Sequence, residues 1–264
     1  MAPRKRWGQN FLISPEIRLR LIKALEAPQN SLVWEIGPGL GAMTKLLIEA
    51  GYRLVVFEID PAYCQILNET FSRAHFRLVE GDVLKKWSEE AQRGVGYILG
   101  NLPYNLAGTL LGVWAEQGLP FIHGVFLIQK ELADRMSAQP RTKNYSSFSV
   151  LSQSIYQIET LFSISPQHFF PKPEVMSTAV RLKPYRPQLS EPIKYAQFLK
   201  LCFTSRRKTL KNNLEQAARF GFNPEGIKEH FSEHQIPLSL RAEELEVSTY
   251  LELWNHPARR ARFT

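Results

Sequence analysis

Short apolar segments alternate with helical ones from residue 32 onward, and this alternation constrains the fold more than any other feature of the chain. The first apolar segment, at 32–36, runs through a glycine-rich turn into a helical pattern over 42–50. Further strands are predicted at 53–58, 74–80 and 96–100, and further helices at 61–71 and 106–117. Strands that alternate with helices favour a parallel sheet covered on both faces. The sequence therefore predicts a doubly wound α/β fold.

The remaining segments complete this domain and add a second one. A helix is predicted at 15–25, because Ser14 can cap it and Pro15 suits its first position. Strands near 123–129, 155–162 and 177–182 would bring the sheet to seven. Closely spaced prolines then mark a linker at 185–192, and helices are predicted at 195–204, 208–217, 224–230 and 242–254. We predict an α/β domain over 1–184 and a small all-helical domain over 193–264.

Composition and charge limit the classes of protein to which the chain can belong. With 264 residues, 44% of them hydrophobic, the chain can fill a large core. Its 33 Lys and Arg exceed its 25 Asp and Glu, and a net charge of +8 favours a polyanionic partner. Cys64 and Cys202 are too far apart in sequence for a CxxC pair, which fits a reducing cytoplasm. Since no apolar signal core or membrane-length run occurs, we expect neither secretion nor membrane insertion.

The glycine-rich turn is the first candidate site. Gly37, Gly39 and Gly41 would let a ligand approach the backbone, but their spacing differs from that of dinucleotide-binding loops. Glu58 ends the second strand and could bind ribose hydroxyls, and Asp82 ends the third and could accept from an adenine amine. These residues suit an adenosine that carries no phosphate and lies across the strand ends, and S-adenosylmethionine is a ligand of this kind. The alternative is a tight turn and two helix caps, without a ligand.

The chemistry is predicted at 101–104, directly after the strand at 96–100. Pro103 disfavours helical backbone at Leu102, so the Leu102 carbonyl can point out of the strand end. Asn101 supplies a second carbonyl oxygen, and Tyr104 supplies a flat ring. Two acceptors beside an aromatic face suit adenine, whose exocyclic amine offers two N–H groups. The alternative is an ordinary turn after a strand.

Several segments, in this order, carry a family resemblance: 8–12, 35–44, 58–60, 81–82, 101–105, 129–131, 168–173 and 205–214. Together they make the chain similar to the rRNA adenine-N6 dimethyltransferases, in particular the bacterial KsgA (RsmA) branch. The Erm enzymes, which methylate large-subunit RNA, are less similar. They tend to have Gly-Lys-Gly and Asn-Ile-Pro-Tyr where this chain has Gly-Pro-Gly-Leu-Gly and Asn-Leu-Pro-Tyr.

The resemblance implies a Rossmann-like class I methyltransferase domain that uses S-adenosylmethionine, followed by a helical rRNA-binding domain. It implies a monomeric, cytoplasmic enzyme that transfers four methyl groups to two adjacent adenosines in the 3′-terminal hairpin of 16S rRNA, during 30S biogenesis. Phe169 would hold the base beside Tyr104. By matched position, the residues expected at the donor are Gln9, Asn10, Leu12, Gly37, Gly39, Glu58, Ile59, Asp82, Val83 and Asn101.

The chain departs from the family pattern at three positions that concern RNA contacts rather than the chemistry. Glu174 and Met176 stand where the family commonly has Lys and Asp, and Ser146 stands where it commonly has Gly. An Erm-like 23S rRNA methylase, an adenine-N6 DNA methylase and a non-catalytic RNA-binding assembly factor remain alternatives. The intact donor motifs and Asn-Leu-Pro-Tyr argue against the non-catalytic factor.

Basic residues near the start of the predicted 208–217 helix are candidates for RNA binding. They are Arg206, Arg207, Lys208 and Lys211, with Arg207 and Lys211 one turn apart on one predicted face. The net charge and the resemblance favour phosphate contact over a merely solvated face.

Two histidines, His230 and His234, have the i, i+4 spacing of metal ligands. Because the sequence shows no third ligand beside them, we expect a surface helix there and no metal.

Overall fold

The computed structural model describes residues 10–71, 76–119, 121–259 and 263. These residues fall into two compact units. The first lies within Met1–Leu111, Leu119–Ala133 and Gln157–Pro184, and the second within Gly112–Gly118, Asp134–Tyr156 and Tyr185–Thr264. The second unit therefore takes two segments from inside the predicted 1–184 domain. The predicted linker at 185–192 also belongs to the second unit, and its last residue, Pro192, starts a helix.

The strands of the described chain are β1 (Phe11–Leu12), β2 (Leu32–Ile36), β3 (Arg53–Glu58), β4 (Phe76–Glu80), β5 (Tyr97–Asn101), β6 (Gly124–Gln129), β7 (Tyr156–Ile164), β8 (Phe169–Phe170) and β9 (Ser177–Pro184). Its α-helices are α1 (Pro15–Ala24), α2 (Ala42–Glu49), α3 (Pro61–Thr70), α4 (Val83–Ala91), α5 (Tyr104–Gln117), α6 (Lys130–Met136), α7 (Ser147–Ile155), α8 (Pro192–Cys202), α9 (Leu210–Leu214), α10 (Pro224–Glu233) and α11 (Val247–Asn255). None of these helices is long and apolar enough to cross a membrane.

Seven strands form one sheet, in the order β4-β3-β2-β5-β6-β9-β7. The pairs from β4 through β6 are parallel, and β6 pairs antiparallel with β9. The chain leaves β2 toward β3 and β4 on one side and returns to β5 and β6 on the other. A ligand crevice is expected where the strand order reverses in this way. The predicted doubly wound, mostly parallel seven-stranded sheet is confirmed.

Local sequence explains why the helices start directly after the strands. Ser14, Asp60 and Asp82 each cap a helix by accepting a backbone N–H with the side chain, at α1, α3 and α4. Pro15 and Pro61 occupy first helical positions, where the missing N–H costs nothing. These caps also fix the backbone at the carboxyl ends of the strands, where the candidate site lies.

Several elements differ from the sequence prediction. Helices α4, α6 and α7 were not predicted. Helix α5 begins at Tyr104 rather than at 106, because Pro103 starts its first turn and accepts hydrogen bonds from Leu106 and Ala107. Helix α9 begins at Leu210 rather than at 208, so residues 206–208 lie in a turn.

The core of the second unit is built from aromatic residues. Phe198, Tyr250 and Trp254 are fully buried, and the rings of Phe198 and Trp254 stack at 5.8 Å. Such pairs add to the stability that burial alone provides. These rings pack helix α8 against helix α11.

Candidate active site

A cleft of about 710 Å³ opens at the carboxyl ends of β2, β3 and β5, where the strand order reverses. Its lining consists of Asn10, Phe11, Ile36, Gly37, Gly39, Phe57, Glu58, Ile59, Gly81, Asp82, Val83, Asn101, Leu102, Pro103, Tyr104 and Leu106. Most of the predicted donor residues and four of the five predicted catalytic residues are therefore brought to one cavity.

The glycine-rich turn forms one wall of the cleft and requires glycine for two reasons. Gly37 and Gly39 have φ angles of +69° and +58°, which side chains rarely adopt. A Cβ atom at Gly39 would also lie 2.5 Å from Cε1 of Phe11. The backbone therefore lines the cleft directly, as the sequence predicted for a ligand that approaches the main chain.

Glu58 ends β3 with a carboxylate that is held in place by the backbone. Its Oε1 accepts hydrogen bonds from the amides of Ile59 and Asp60 at 2.9 Å each, and its Oε2 accepts one from Gly39 at 3.1 Å. Burial raises the pKa of Glu58, while these amide contacts act in the opposite direction. Because a carboxylate offers roughly four acceptor sites, this geometry leaves Oε2 able to accept one more hydrogen bond.

Asp82 caps α4 through Oδ1, which accepts from the amide of Leu84 at 3.0 Å. The residue also lines the cleft, beside Gly81 and Val83. The sequence left helix capping and ligand binding by Asp82 as alternatives. The structure is compatible with both, because Oδ1 caps the helix and the cap does not use Oδ2.

Asn101 is the last residue of β5, and its amide is oriented by the chain that precedes β1. Its Nδ2 donates a hydrogen bond to the backbone carbonyl of Asn10 at 2.8 Å. The amide of Leu102 donates to the carbonyl of Leu127 at 3.1 Å, which continues the ladder between β5 and β6 by one residue. Asn101 is thus held by Asn10, and Leu102 is held by Leu127. Oδ1 of Asn101 is left as an acceptor.

Tyr104 starts α5 and is half-buried in the lining of the cleft. Its hydroxyl forms a hydrogen bond of 2.7 Å with the hydroxyl of Ser177, the first residue of β9. Burial raises the pKa of Tyr104, so the phenol stays neutral near pH 7. Ser177 holds the hydroxyl end of the side chain, and the ring is thereby kept at the wall.

Two predicted site residues, Leu12 and Phe169, are absent from the described lining of the cleft. Gln9 lies outside the described residues. Leu12 is buried in β1, and its carbonyl accepts a hydrogen bond from Nε of Arg18 at 2.8 Å. Phe169 is 3% exposed and packs in the core, whereas its neighbour Phe170 is 60% exposed. The antiparallel pairing of β1 with β8 places Leu12 opposite Phe169 and Phe11 opposite Phe170.

The structure adds residues that sequence reasoning missed. The apolar walls contributed by Phe11, Ile36, Phe57 and Leu106, together with Gly81, complete the cleft. Ile36 and Phe57 could have been found as the residues next to the predicted strand ends. Phe11 gave no such signal, since the two-residue strand β1 is too short for any periodicity.

Glu35 lies one residue before the end of β2 and is fully buried behind the glycine turn. Its Oε2 accepts a hydrogen bond of 2.6 Å from the hydroxyl of Thr44. Burial raises the pKa of Glu35 to about 7, and the charge of Glu58 acts in the same direction. A buried carboxyl group with a pKa near 7 therefore lies in β2, just before the glycine-rich turn.

The basic residues of the second unit separate into two kinds. The guanidinium group of Arg206 donates to the carboxylate of Glu243 through Nε and to the carbonyl of Lys143 through Nη1. Its Nη2 donates to the carbonyl of Thr142 at 2.7 Å. Arg207, Lys208 and Lys211 are exposed. Because α9 starts only at Leu210, the prediction that Arg207 and Lys211 share one helix face is wrong. The side chain of Asn213 stabilises the turn before α9. Its Oδ1 accepts a hydrogen bond from the amide of Ser205, and its Nδ2 donates one to the carbonyl of Cys202.

Comparison with known proteins identifies relatives over nearly the whole chain. The family model described as "Ribosomal RNA adenine dimethylase" matches residues 2–258. The protein named "Ribosomal RNA small subunit methyltransferase A" from Borreliella burgdorferi is 39% identical over 256 residues, covering 97% of this chain and 89% of the relative. The protein of the same name from Treponema pallidum is 40% identical over 254 residues, covering 94% and 89%.

Two solved structures share the fold. A dimethyladenosine transferase from Plasmodium falciparum superposes with a TM-score of 0.71 at 23% identity, covering 92% of this chain and 95% of its own. The 23S rRNA methyltransferase ErmE superposes with a TM-score of 0.66 at 21% identity, covering 92% and 98%. At these identities the similarity supports the fold, which is that of the class I methyltransferases.

Proposed function

The chain belongs to the ribosomal RNA adenine dimethylase family, and we propose that it transfers methyl groups from S-adenosylmethionine to N6 of two adjacent adenosines in the 3′-terminal hairpin of 16S rRNA. Each adenosine receives two methyl groups, so one 16S rRNA takes four. The relatives named for the small subunit favour this substrate over the large-subunit RNA of the Erm enzymes.

The observation that carries the proposal is the orientation of Asn101 in the cleft. Its Nδ2 is held by the carbonyl of Asn10 at 2.8 Å, which leaves Oδ1 to accept an N–H from the adenine amine. A side chain held in this way loses little further freedom when the substrate binds. The acceptor is therefore in place before the reaction begins.

The residues of the cleft fit S-adenosylmethionine. The backbone at Gly39, where a Cβ would collide with Phe11, allows the close approach of a ligand. Glu58 is fixed by three backbone amides and can accept from ribose, and Asp82 retains an oxygen for an adenine amine. When bound, the cofactor supplies a methyl group on a positively charged sulfur. The apolar lining excludes water from that group.

The protein's part in the transfer is to orient the amine and to stabilise developing charge. The N6 lone pair is delocalised into the adenine ring, so rotation of the amine exposes it for attack on the methyl carbon. As positive charge moves to nitrogen, Oδ1 of Asn101 and the carbonyl of Leu102 favour the transition state over the ground state. Asn101 cannot accept the proton, which leaves to water. Tyr104 stacks on the base.

The second transfer to the same nitrogen requires a pocket that accepts one added methyl group. The monomethylated amine rotates or rebinds, and its single remaining N–H then faces an acceptor. Asn101 and Leu102 offer two acceptors, so either can hold that N–H.

We further propose that the second unit binds rRNA through Arg207, Lys208 and Lys211, and that the substrate is the RNA within an immature 30S particle. The net charge of +8 supports a polyanionic partner. We propose that the protein acts as a monomer in the cytoplasm, where both RNA and particle are found.

The proposal is tested by methyl transfer with the purified chain and isotopically labelled S-adenosylmethionine. The substrates are 30S particles from cells that lack the modification, naked 16S rRNA, naked 23S rRNA and duplex DNA, with Asn101→Ala as the inactive control. We expect N6,N6-dimethyladenosine at two adjacent positions near the 3′ end of 16S rRNA, identified by mass spectrometry of nuclease fragments.

Three other results would each contradict the proposal and identify one of the alternative functions. Label in 23S rRNA alone identifies an Erm-like enzyme, and label in DNA alone identifies a DNA methylase. RNA binding without any transfer identifies a non-catalytic assembly factor.

A further inference from the structure

Three histidines of the second unit lie together at the C-terminal ends of α10 and α11. They are His230, in the last turn of α10, His234, directly after α10, and His256, directly after α11. One ring nitrogen from each lies within 4.8 Å of the other two. The sequence showed only the first two, and the fold brings His256 to them from the following helix.

Hydrogen bonds orient two of the rings as they are oriented in metal sites. Nε2 of His230 contacts the carbonyl of Leu253 at 2.8 Å, and Nδ1 of His234 contacts the carbonyl of His230 at 2.8 Å. A carbonyl takes the ring N–H in each case, so Nδ1 of His230 and Nε2 of His234 carry the lone pairs. Histidines that bind metals almost always donate their other N–H to such a partner.

The buried ring of His230 supplies a second, independent observation. Its side chain is completely buried, and Nδ1 has no hydrogen-bond partner among the residues that the structure describes. A buried acceptor without a partner is costly, and a metal ion would satisfy it. The carboxylate oxygen of Glu233 lies 3.9 Å from the same Nδ1, which places an oxygen ligand at the cluster.

Helix electrostatics also favour a cation at this point. The C-terminal end of an α-helix carries a partial negative charge, and His234 and His256 follow the last residues of two helices.

We infer that His230, His234 and His256 form a binding site for a divalent transition-metal ion, with Zn²⁺ as the best match, that joins α10 to α11 and is separate from the methyl-transfer reaction. Imidazole nitrogen suits Zn²⁺, and three protein ligands leave the fourth tetrahedral position to water or to Glu233. Zinc–nitrogen bonds of about 2.0–2.1 Å require ligand nitrogens about 3.3 Å apart. Ring nitrogens at the upper end of the observed range, 4.8 Å, must approach one another on binding, and the exposed ring of His256 can rotate to allow this.

The experiment measures Zn²⁺ binding to the full chain, produced without a polyhistidine tag and freed of metal by dialysis against a chelator. Isothermal titration with ZnCl₂ is performed on the wild-type chain and on the His234→Ala and His256→Ala variants. His168→Ala is the matched control, because it removes a histidine outside the cluster. Circular dichroism checks that each variant is folded.

We expect one Zn²⁺ per wild-type chain, an affinity at least tenfold lower in His234→Ala and His256→Ala, and no change in His168→Ala. Zinc should also raise the midpoint of thermal unfolding of the wild-type chain but not of the two variants. Equal binding by all four proteins, or no binding by the wild-type chain, overturns the inference.

A second measurement does not depend on the variants. Co²⁺ added to the wild-type chain should show the intense visible absorption of tetrahedral coordination. The weak spectrum of octahedral Co²⁺ overturns the site even if a variant fails to fold.

Discussion

Nδ2 of Asn101 donates a hydrogen bond of 2.8 Å to the backbone carbonyl of Asn10, across 91 residues of sequence. The contact joins the segment before β1 to the end of β5, and so closes one side of the cleft. Because the NH₂ group is engaged in this bond, Oδ1 is the end of the Asn101 amide that is left for the proposed contact with the substrate. The proposed acceptor is thus oriented by Asn10, a residue for which we propose no contact with the adenine amine.

The first prediction concerns Asn101 itself. Asn101→Ala removes Oδ1 while Glu58 and Asp82 remain in place, so we expect kcat to fall by about 10²–10³-fold with the affinity for S-adenosylmethionine largely kept. Single-turnover methylation measures the first quantity and equilibrium binding of the labelled donor measures the second. Asn105→Ala is the matched control, since Asn105 is exposed on α5. Turnover near the wild-type value in Asn101→Ala would remove the proposed role.

The second prediction separates the ring of Tyr104 from its hydroxyl. Tyr104→Ala removes the stacking face, which is worth about 1–3 kcal/mol per base, so we expect kcat/KM to fall by about 10-fold or more. Tyr104→Phe keeps the ring and loses only the 2.7 Å hydrogen bond to Ser177, so its loss should be a few-fold. Steady-state methylation of 30S particles measures both.

Ser177→Ala is the control for this pair, because it removes the same hydrogen bond from the other partner and leaves the phenol intact. We expect it to behave like Tyr104→Phe. If Tyr104→Ala and Tyr104→Phe lose the same activity, the hydroxyl matters rather than the ring, and the stacking role is excluded.

The strand ends of the site could be predicted from sequence, and the reason is geometric. The carboxyl ends of parallel strands meet at one edge of the sheet. Sequence alone therefore assigns four features to one cleft: the glycine-rich turn, Glu58, Asp82 and Asn101. Their polar atoms are also positioned by neighbouring backbone, as Glu58 is by Gly39, Ile59 and Asp60. The contacts of Glu58 with Ile59 and Asp60 are local in sequence, and the pairing of β2 with β3 brings Gly39 to the same carboxylate.

The contacts made by β1 and β8 could not be predicted in the same way. Each strand has two residues, too few for any alternation of apolar and polar positions. Which of Phe169 and Phe170 is buried depends on the register of β1 with β8, and neither strand carries a sequence pattern that predicts this register. The third histidine of the proposed metal site was missed for a related reason, since His256 reaches His230 only through the packing of a separate helix.

The third prediction concerns the exposed cations of the second unit. Charge reversal at Arg207, Lys208 or Lys211 should weaken rRNA binding, and each lost phosphate contact should reduce the slope of log K against log salt by about 0.7–0.9. Filter binding at several salt concentrations measures both. Unchanged affinity and slope in the triple variant would show that these side chains are only solvated.

Arg206 is expected to behave differently from these three residues. Its guanidinium group is occupied by Glu243 and by two backbone carbonyls. Arg206→Ala should therefore lower the midpoint of thermal unfolding, while leaving the salt slope of RNA binding unchanged. A reduced slope without loss of stability would place Arg206 on the RNA instead.

The last prediction is a pH dependence of stability that arises from Glu35. Burial raises the pKa of Glu35 to about 7, so the folded state binds a proton more tightly than the unfolded state. The contribution of Glu35 to the free energy of unfolding is therefore largest below about pH 4.5 and is lost as pH rises toward 7. Glu35→Gln imitates the protonated carboxyl at every pH, and its amide oxygen can accept the hydrogen bond from Thr44.

We expect Glu35→Gln to gain roughly 2–3 kcal/mol of stability relative to the wild-type chain between pH 5 and pH 8, because each unit of difference between the folded and unfolded pKa is worth ~1.4 kcal/mol. Urea unfolding of both chains at the two pH values measures the difference. Glu49→Gln is the matched control, because its carboxylate is exposed on α2 and its replacement should have a small effect at both pH values. A wild-type chain that gained stability relative to Glu35→Gln as pH rose would mean that the buried carboxylate is stabilised as the anion, and Glu35 would then be a charged part of the site.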